Sequence, residues 1–301
     1  PKADPHTAHA PGPHVSSTGE DAAAPLTIET SSLPDGYRAQ ARWWRPASSR
    51  GAVLYLHGIQ SHGGWYEESG ARLAAAGFTV YMPDRRGSGL NPAPRGHYDS
   101  ADQCMSDTRH FLDVLLRETG RPSAHVIGVS WGGKQAVYLA MARPKQVRSI
   151  SLIAPGLFPR VDLTGWEKLR VGMAMVNDRE RQFDIPLNDS RFFTDNAERL
   201  AFLERDRHKL LQVSASFLLA SRRLDRTIRP FSEGDYRGAV HLFLAGRDRI
   251  IDNAATRAWF DALPSPDRKL TMYPNGAHTL EFEADGGRFM ADLVDWISAR
   301  A

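Results

Sequence analysis

Apolar and polar positions fall into three regimes along this chain. From Ala52 to Ala154, and again from Val240 to the C-terminus, short apolar runs alternate with segments of helical periodicity. The runs Val53–Leu56, Phe78–Met82, Ala124–Ile127, Ser149–Ala154, Val240–Ala245 and Lys269–Tyr273 predict strands. The periodic segments predict helices over Glu67–Ala76, Asp102–Thr119, Gly133–Ala142 and Gly286–Ala299. Continuous apolar runs mean burial on both faces, and strands separated by helices pair in parallel through crossovers. The expected class is therefore α/β, a mostly parallel central sheet with helices on both faces.

A second regime precedes the first. Leu26–Thr30 and Tyr37–Arg45 alternate in polarity and are joined through Leu33-Pro34-Asp35-Gly36. Proline presets one turn dihedral and glycine permits positive φ, so this reads as an N-terminal antiparallel hairpin. Residues 1–25, rich in Pro, Ala, His and small polar side chains, read as a disordered tail. The third regime runs from Gly156 to Tyr236 and shows helix patterns without a strand. Leu163, Trp166, Leu169, Met173 and Val176 recur at helical spacing. Further helices are expected over Ala197–Arg205, with Asp195 or Asn196 at its cap, and over Arg207–Leu224. A helical block between two core strands reads as a cap inserted over the strand ends. The expected division is a tail (1–25), an α/β core in two parts (26–155 and 237–301) and a helical cap (156–236).

Composition narrows the classes. The 301 residues are 42% hydrophobic and 24% charged, as in ordinary soluble domains. Lys+Arg 38 against Asp+Glu 35 leaves a net charge of +3, too even for a nucleic-acid partner. No apolar run approaches the roughly 20 residues of a membrane span. Cys104 is the sole cysteine, so no intrachain disulfide forms, and a lone thiol favours the reducing cytoplasm. The start at Pro1 rather than methionine leaves secretion open. Nothing in the sequence speaks to oligomeric state.

Candidate chemistry centres on Gly128-Val129-Ser130-Trp131-Gly132, a G-x-S-x-G pattern between a predicted strand and a predicted helix. A serine on so tight a turn exposes its hydroxyl, and the flanking glycines avoid clashes inside the turn. A hydroxyl is a poor nucleophile until a base takes its proton, and that base needs an acid to fix its tautomer. Asp248 follows the strand ending at Ala245, and His278 follows the strand ending at Tyr273. Both sit where a strand's C-terminal tip would deliver them to the crevice of Ser130. Asp252, four residues beyond Asp248, reads instead as the N-cap of a helix over Asn253–Leu263. Of the 11 histidines, His125 and His241 lie in strands and read as structural. His57 and His62 fall in a Gly-rich loop, as oxyanion apparatus or scaffolding. The oxyanion hole needs two backbone amides, and position assigns those of Ile59 and Trp131.

These pieces together resemble the α/β-hydrolase superfamily: His57-Gly58 after a strand, Asp84-Arg85-Arg86-Gly87-Ser88-Gly89, the Gly128–Gly132 elbow, Gly246-Arg247-Asp248 and Gly276-Ala277-His278. Within it, the chain is similar to the monoacylglycerol lipase and lysophospholipase group, the serine aminopeptidase S33 type. Ala245-Gly246-Arg247-Asp248-Arg249-Ile250-Ile251-Asp252 matches that group's G-x-x-D-x-x-x-D stretch. Its H-G-x-x-x-H loop resembles His57–His62, with Gln60-Ser61 where a Gly-Glu pair is common. The resemblance implies a serine hydrolase of carboxylic esters, working through an acyl-enzyme with Ser130, Asp248 and His278 and no metal or organic cofactor. The implied partner is a small-molecule ester with an acyl chain, monoacylglycerol-like or lysophospholipid-like, with transient membrane contact through the cap. Leu157, Phe158, Trp166, Met173, Met175, Phe192, Phe193 and Phe217 supply apolar cap surface, with Phe158, Trp166 and Met173 taken as substrate contacts. The alternatives on this scaffold are a thioesterase, a perhydrolase, a non-catalytic binding protein, or an aminopeptidase using Glu204, Glu233 or Asp235 to hold an amine.

Overall fold

Leu26–Ser32 (β1) and Arg38–Trp44 (β2) pair antiparallel from Leu26↔Trp44 to Ser32↔Arg38. The turn between them depends on Gly36, whose φ of 84° is closed to most side chains. In this computed structural model, residues 24–229, 231, 236–284 and 286–301 are described. Most of the predicted tail, with Glu233 and Asp235, lies outside the described residues.

The alternating part of the chain supplies β3 (Gly51–Leu56), α1 (Glu67–Ala75), β4 (Phe78–Pro83), α2 (Ala101–Thr119), β5 (Ala124–Val129), α3 (Trp131–Ala142) and β6 (Val147–Ile153). After an intervening stretch come β9 (Ala239–Ala245), α7 (Asn253–Asp261), β10 (Arg268–Tyr273) and α8 (Gly286–Ser298). They form an eight-stranded sheet in the order β1-β2-β4-β3-β5-β6-β9-β10. β1, β2 and β4 pair antiparallel, and every other neighbouring pair is parallel. Every residue of β3, β4, β5 and β9 is buried, as their unbroken apolar runs require. α1 packs with α8, while α2 and α3 pack with each other. Strand order reverses at β3, with β4 on one side and β5 on the other, which opens a crevice beyond the strands' C-terminal ends.

The stretch from Gly156 to Tyr236 departs from the sequence expectation. It holds helices α4 (Gly165–Asn177), α5 (Ala197–Arg205) and α6 (Ala215–Ile228), but also a ribbon of β7 (Gln182–Asp184) and β8 (Gln212–Ser214). The helix expected over Arg207–Leu224 therefore starts later. Ser214 explains the shift: its hydroxyl accepts from the Phe217 amide at 3.0 Å and fixes the helix start. Val213 and Phe183 bury opposite each other in the ribbon, a pattern too short to register as a strand.

This stretch is tied to loops at the strands' C-terminal ends. The Leu210 amide donates to Gln60 (2.9 Å), that of Ser214 to Gly96 (2.9 Å), and Thr279 donates to Phe193 (2.8 Å). Asp206 makes the densest tie. It pairs with His62 Nε2 at 3.0 Å, accepts from the Trp65 indole at 2.7 Å and from the His208 amide at 2.8 Å. Burial alone would raise this carboxyl, but the His62 bond and charge, with the Trp65 indole, outweigh it and hold the pKa at about 2.

A carboxyl held below its ordinary 3.8 adds stability that is complete above that value and is lost as pH falls through about 2. Asp206→Asn is thus expected to cost about 2 kcal/mol at neutral pH. The gap to the native chain should narrow to about a third of that near pH 2.5 and close only below pH 2, as urea midpoints at neutral pH and at pH 2.5 would report. An equal gap at both would mean that the Asp206 charge contributes nothing.

Candidate active site

Ser130 occupies the residue between β5 and α3, with φ 50° and ψ −118°. Positive φ is strained for a residue with a Cβ, so the surroundings must hold it. The Ser130 amide donates to Ile153 at 2.9 Å, and its carbonyl accepts from Gly133 at 2.9 Å and Gly156 at 2.7 Å. The flanking glycines are steric necessities. A Cβ on Gly132 would lie 2.2 Å from the Leu56 carbonyl oxygen, and one on Gly128 would lie 2.6 Å from that of Gly132. α3 thus starts hard against the end of β3, and the serine is forced outward at the sheet's edge.

Strand register brings the other two predicted residues to the same edge. Val129 lies opposite Ile153, Ile153 opposite Phe243, and Phe243 opposite Thr271. Ser130, Asp248 and His278 all come after that row, in the turns following β5, β9 and β10. His278 Nδ1 lies 2.8 Å from Asp248 Oδ2, and both side chains are buried. Asp248 Oδ1 accepts from the Ile250 and Ile251 amides at 2.8 and 3.0 Å, so both oxygens of the carboxylate are engaged. The ring therefore donates from Nδ1, which leaves Nε2 as an acceptor; that atom is buried and makes no hydrogen bond among the described residues. Asp252 is occupied elsewhere. Its Oδ1 caps α7 through the Ala254 and Ala255 amides at 2.9 and 3.0 Å.

The loop after β3 closes the site from the other side. A Cβ on Gly58 would come within 3.3 Å of the Ser130 Cβ. Arg85, 2% exposed, governs this loop. Its Nη1 donates to the Gly58 carbonyl at 3.0 Å, and its Nη2 to the Ile59 carbonyl at 2.7 Å and to Ser88 Oγ at 2.9 Å. In a trans peptide the carbonyl and the following N–H point opposite ways. Pinning the Gly58 carbonyl to Arg85 thus turns the Ile59 amide away from the guanidinium. The Arg85 Cζ also lies 4.8 Å from the ring centroid of Trp131. Trp131 opens α3, so its amide has no carbonyl one turn earlier to bond.

Two further groups brace the loop. His57 Nδ1 bonds the Gly58 carbonyl at 2.8 Å and Nε2 accepts from the Arg85 amide at 2.9 Å, which requires a neutral ring. Burial, with the Arg85 charge, pushes its pKa down to about 3. Asp84 accepts from the Gly63 amide at 2.7 Å and the Leu90 amide at 2.9 Å. His62 faces Asp206, as described above. His125 and His241 are buried in strands, where desolvation lowers the pKa of each, to about 4 and about 3. Cys104 is buried as well, and desolvation pushes its thiol up to about 12, so it is not a nucleophile.

A cavity of about 680 Å³ adjoins Ser130, with Ile59 and Trp131 in its wall. Its apolar surface comes from Val171, Met175, Ile185, Leu187, Leu218 and Leu219. The three expected substrate contacts are not among the lining residues. Phe158 is half-buried beside it, while Trp166 and Met173 stand 65% and 48% exposed on the outer side of α4. The helix period was legible and its phase was not: Val171 and Met175 face inward instead. Glu204 is exposed and lines no part of this cavity. Arg85 and Asp206 received no role from the sequence. Arg85 stood inside the quoted Asp84–Gly89 run, whereas no local signal marked Asp206.

The profile of the family described as serine aminopeptidase, S33, matches residues 47–285. A monoacylglycerol lipase of Mycolicibacterium smegmatis is 24% identical over 85% of this chain and 90% of its own length. An abhydrolase domain-containing protein of Dictyostelium discoideum is also 24% identical, over 86% of this chain, which spans only 27% of that longer protein. Among solved structures, a soluble variant of monoglyceride lipase from Saccharomyces cerevisiae, in complex with a substrate analog, superposes with a TM-score of 0.80. It is 19% identical and covers 97% of this chain and 99% of its own, a likeness of fold.

Gly132→Ala is expected to destabilise the protein by about 3 kcal/mol or more, because the new methyl meets backbone rather than a yielding side chain. A denaturant titration would measure it. Retention of native stability would mean that the approach of α3 to β3 is looser than 2.2 Å implies.

Proposed function

The chain belongs to the serine aminopeptidase S33 family of α/β-hydrolases, and on that premise we propose that it hydrolyses lipid-like carboxylic esters with Ser130 as nucleophile. The observation carrying this reading is the buried Asp248–His278 pair at 2.8 Å, beyond the same sheet edge as the strained Ser130 turn. Ser130 Oγ attacks the ester carbonyl carbon while His278 Nε2 takes its proton. Asp248 fixes the Nδ1–H tautomer and stabilises the imidazolium. The tetrahedral oxyanion is held by the amides of Ile59 and Trp131, both of which wall the cavity. Collapse expels the alcohol, protonated by His278, and leaves an acyl-serine. Water, deprotonated by His278, then attacks that acyl group and releases the acid and Ser130.

We read residues 156–236 as a cap, and the apolar cavity beneath it as the place for an acyl chain. The same helix supplies an outer apolar face. Trp166, Leu169, Met173 and Val176 are 65%, 54%, 48% and 85% exposed along α4, a stripe suited to a lipid surface. Among the described residues no helix is long and apolar enough to cross a membrane, so contact through this face would be peripheral.

Labelling by a fluorophosphonate and hydrolysis of 4-nitrophenyl esters should both vanish in Ser130→Ala. Asp248→Asn should lower kcat by about 10⁴-fold, since the amide reverses the tautomer preference. Asp252→Asn should stay within a few fold, because asparagine caps a helix as well as aspartate does. The opposite ranking would move the acid to Asp252. For the outer face, Leu169→Ser/Val176→Ser should lower co-sedimentation with phosphatidylcholine vesicles several-fold; unchanged binding would remove α4 from any lipid contact.

A further inference from the structure

The cavity beside Ser130 is not apolar throughout, and its charge is one-sided. Five cationic side chains, Lys134, Lys168, Arg222, Arg226 and Arg229, line it against two carboxylates, Asp162 and Asp225. Both carboxylates are committed. Asp162 lies 2.8 Å from Lys168 and 2.8 Å from Arg222, and Asp225 lies 2.6 Å from Lys134. Arg226 and Arg229 are left with no carboxylate partner among the described residues. A cation in the last turn of α6 suits the helix dipole, but that does not require it to face a cavity shared with Ser130.

Helix α6 sets the spacing. Ser221 Oγ accepts from the Trp131 indole at 2.9 Å, which fixes the part of α6 that lies next to the proposed nucleophile. At 1.5 Å of rise per residue, Arg226 lies about 8 Å farther along the axis and Arg229 about 12 Å. Leu218, Leu219, Val171 and Met175 give the same cavity its apolar surface. The lining thus offers a reacting end, apolar walls and a cationic end. Attraction across a partly enclosed, low-dielectric cavity exceeds that on an open surface.

We propose that this cavity selects carboxylic esters that carry a second, anionic group, a carboxylate or phosphate held by Arg226 and Arg229. This rests on the reading of Ser130 as nucleophile and deepens it by naming the substrate class. An anion could enter on the acyl side, as an ω-carboxylate, or on the alcohol side, as a phosphate ester. Nothing but its charge and its distance from the scissile carbonyl matters to the arginines. Both are solvent-exposed, so the preference is moderate, of the order of tenfold.

Two substrate pairs separate the sources. One is 4-nitrophenyl octanoate against the mono-4-nitrophenyl ester of octanedioic acid, and the other is 1-octanoylglycerol against its 3-phosphate. In at least one pair kcat/KM should favour the anionic member about tenfold at low salt, and the responding pair names the side. The preference should shrink in 0.5 M NaCl as charges are screened. In Arg226→Glu/Arg229→Glu, with folding checked by thermal melting, the ratio should fall below one. Hydrolysis of the neutral esters with no anionic preference in either pair would overturn this proposal alone, as would a preference that survives in the double variant. Failure to cleave any of the four, together with no fluorophosphonate labelling, would overturn the nucleophile as well.

Discussion

The contact on which the rest depends is backbone against backbone, where the first turn of α3 meets the end of β3. Gly132 sits so near the Leu56 carbonyl that no side chain fits between them. That closeness leaves one residue, Ser130, to make the change from strand to helix, and it does so in a conformation with positive φ. The strain is held by hydrogen bonds from Gly133 and Gly156 and to Ile153, which come from three different segments. A serine so placed cannot fold back into the sheet. Its hydroxyl stands beyond the strand ends, and the amides at the start of α3 lie beside it. Steric exclusion, more than any attraction, sets the site's geometry.

A second constraint is electrostatic. Arg85 is buried without a carboxylate partner among the described residues, an expensive place for a cation unless its donors are used. Here Nη1 and Nη2 donate to two successive backbone carbonyls and a serine hydroxyl, Nε is buried without an acceptor among the described residues, and the Trp131 ring lies near the guanidinium. One side chain therefore links both segments to which oxyanion donors are assigned: the loop after β3 and the start of α3. Neutral His57 and anionic Asp84 complete the bracing from the same region of sequence. A lysine there would offer a point charge in place of a planar fork and could not satisfy two adjacent carbonyls in the same way.

Much of the core was legible because its signals are local. Unbroken apolar runs gave β3, β4, β5 and β9, and the helical segments between them implied parallel pairing. The Pro-Asp-Gly turn gave the hairpin of β1 and β2. The positions of Asp248 and His278 after successive strands could be read because parallel strands deliver their C-terminal turns to one edge. Distinguishing Asp248 from Asp252 was also local, since a residue heading a helix is occupied by its amides. What escaped was non-local. The β7–β8 ribbon pairs segments some thirty residues apart through only three residues each, and Asp206 meets His62 across 144 positions. Neither leaves a periodic trace.

The substrate side was the least legible part, for a reason that applies to any amphipathic helix lying over a cavity. α4 carries apolar residues on more than one face, so its period cannot say which face turns inward. Trp166 and Met173 were expected to meet substrate because they supply apolar surface. They lie outward, and Val171 and Met175 line the cavity. A helix that lines a cavity on one side and carries exposed apolar residues on the other has two apolar faces. Across the cavity α6 solves the complementary problem. Its leucines continue the apolar lining, and its arginines lie toward the C-terminal end, where the helix dipole favours positive charge. Both helices therefore contribute apolar and cationic side chains to one lining, Val171, Met175 and Lys168 from α4 and Leu218, Leu219, Arg222 and Arg226 from α6, a pairing that the sequence of one helix does not reveal.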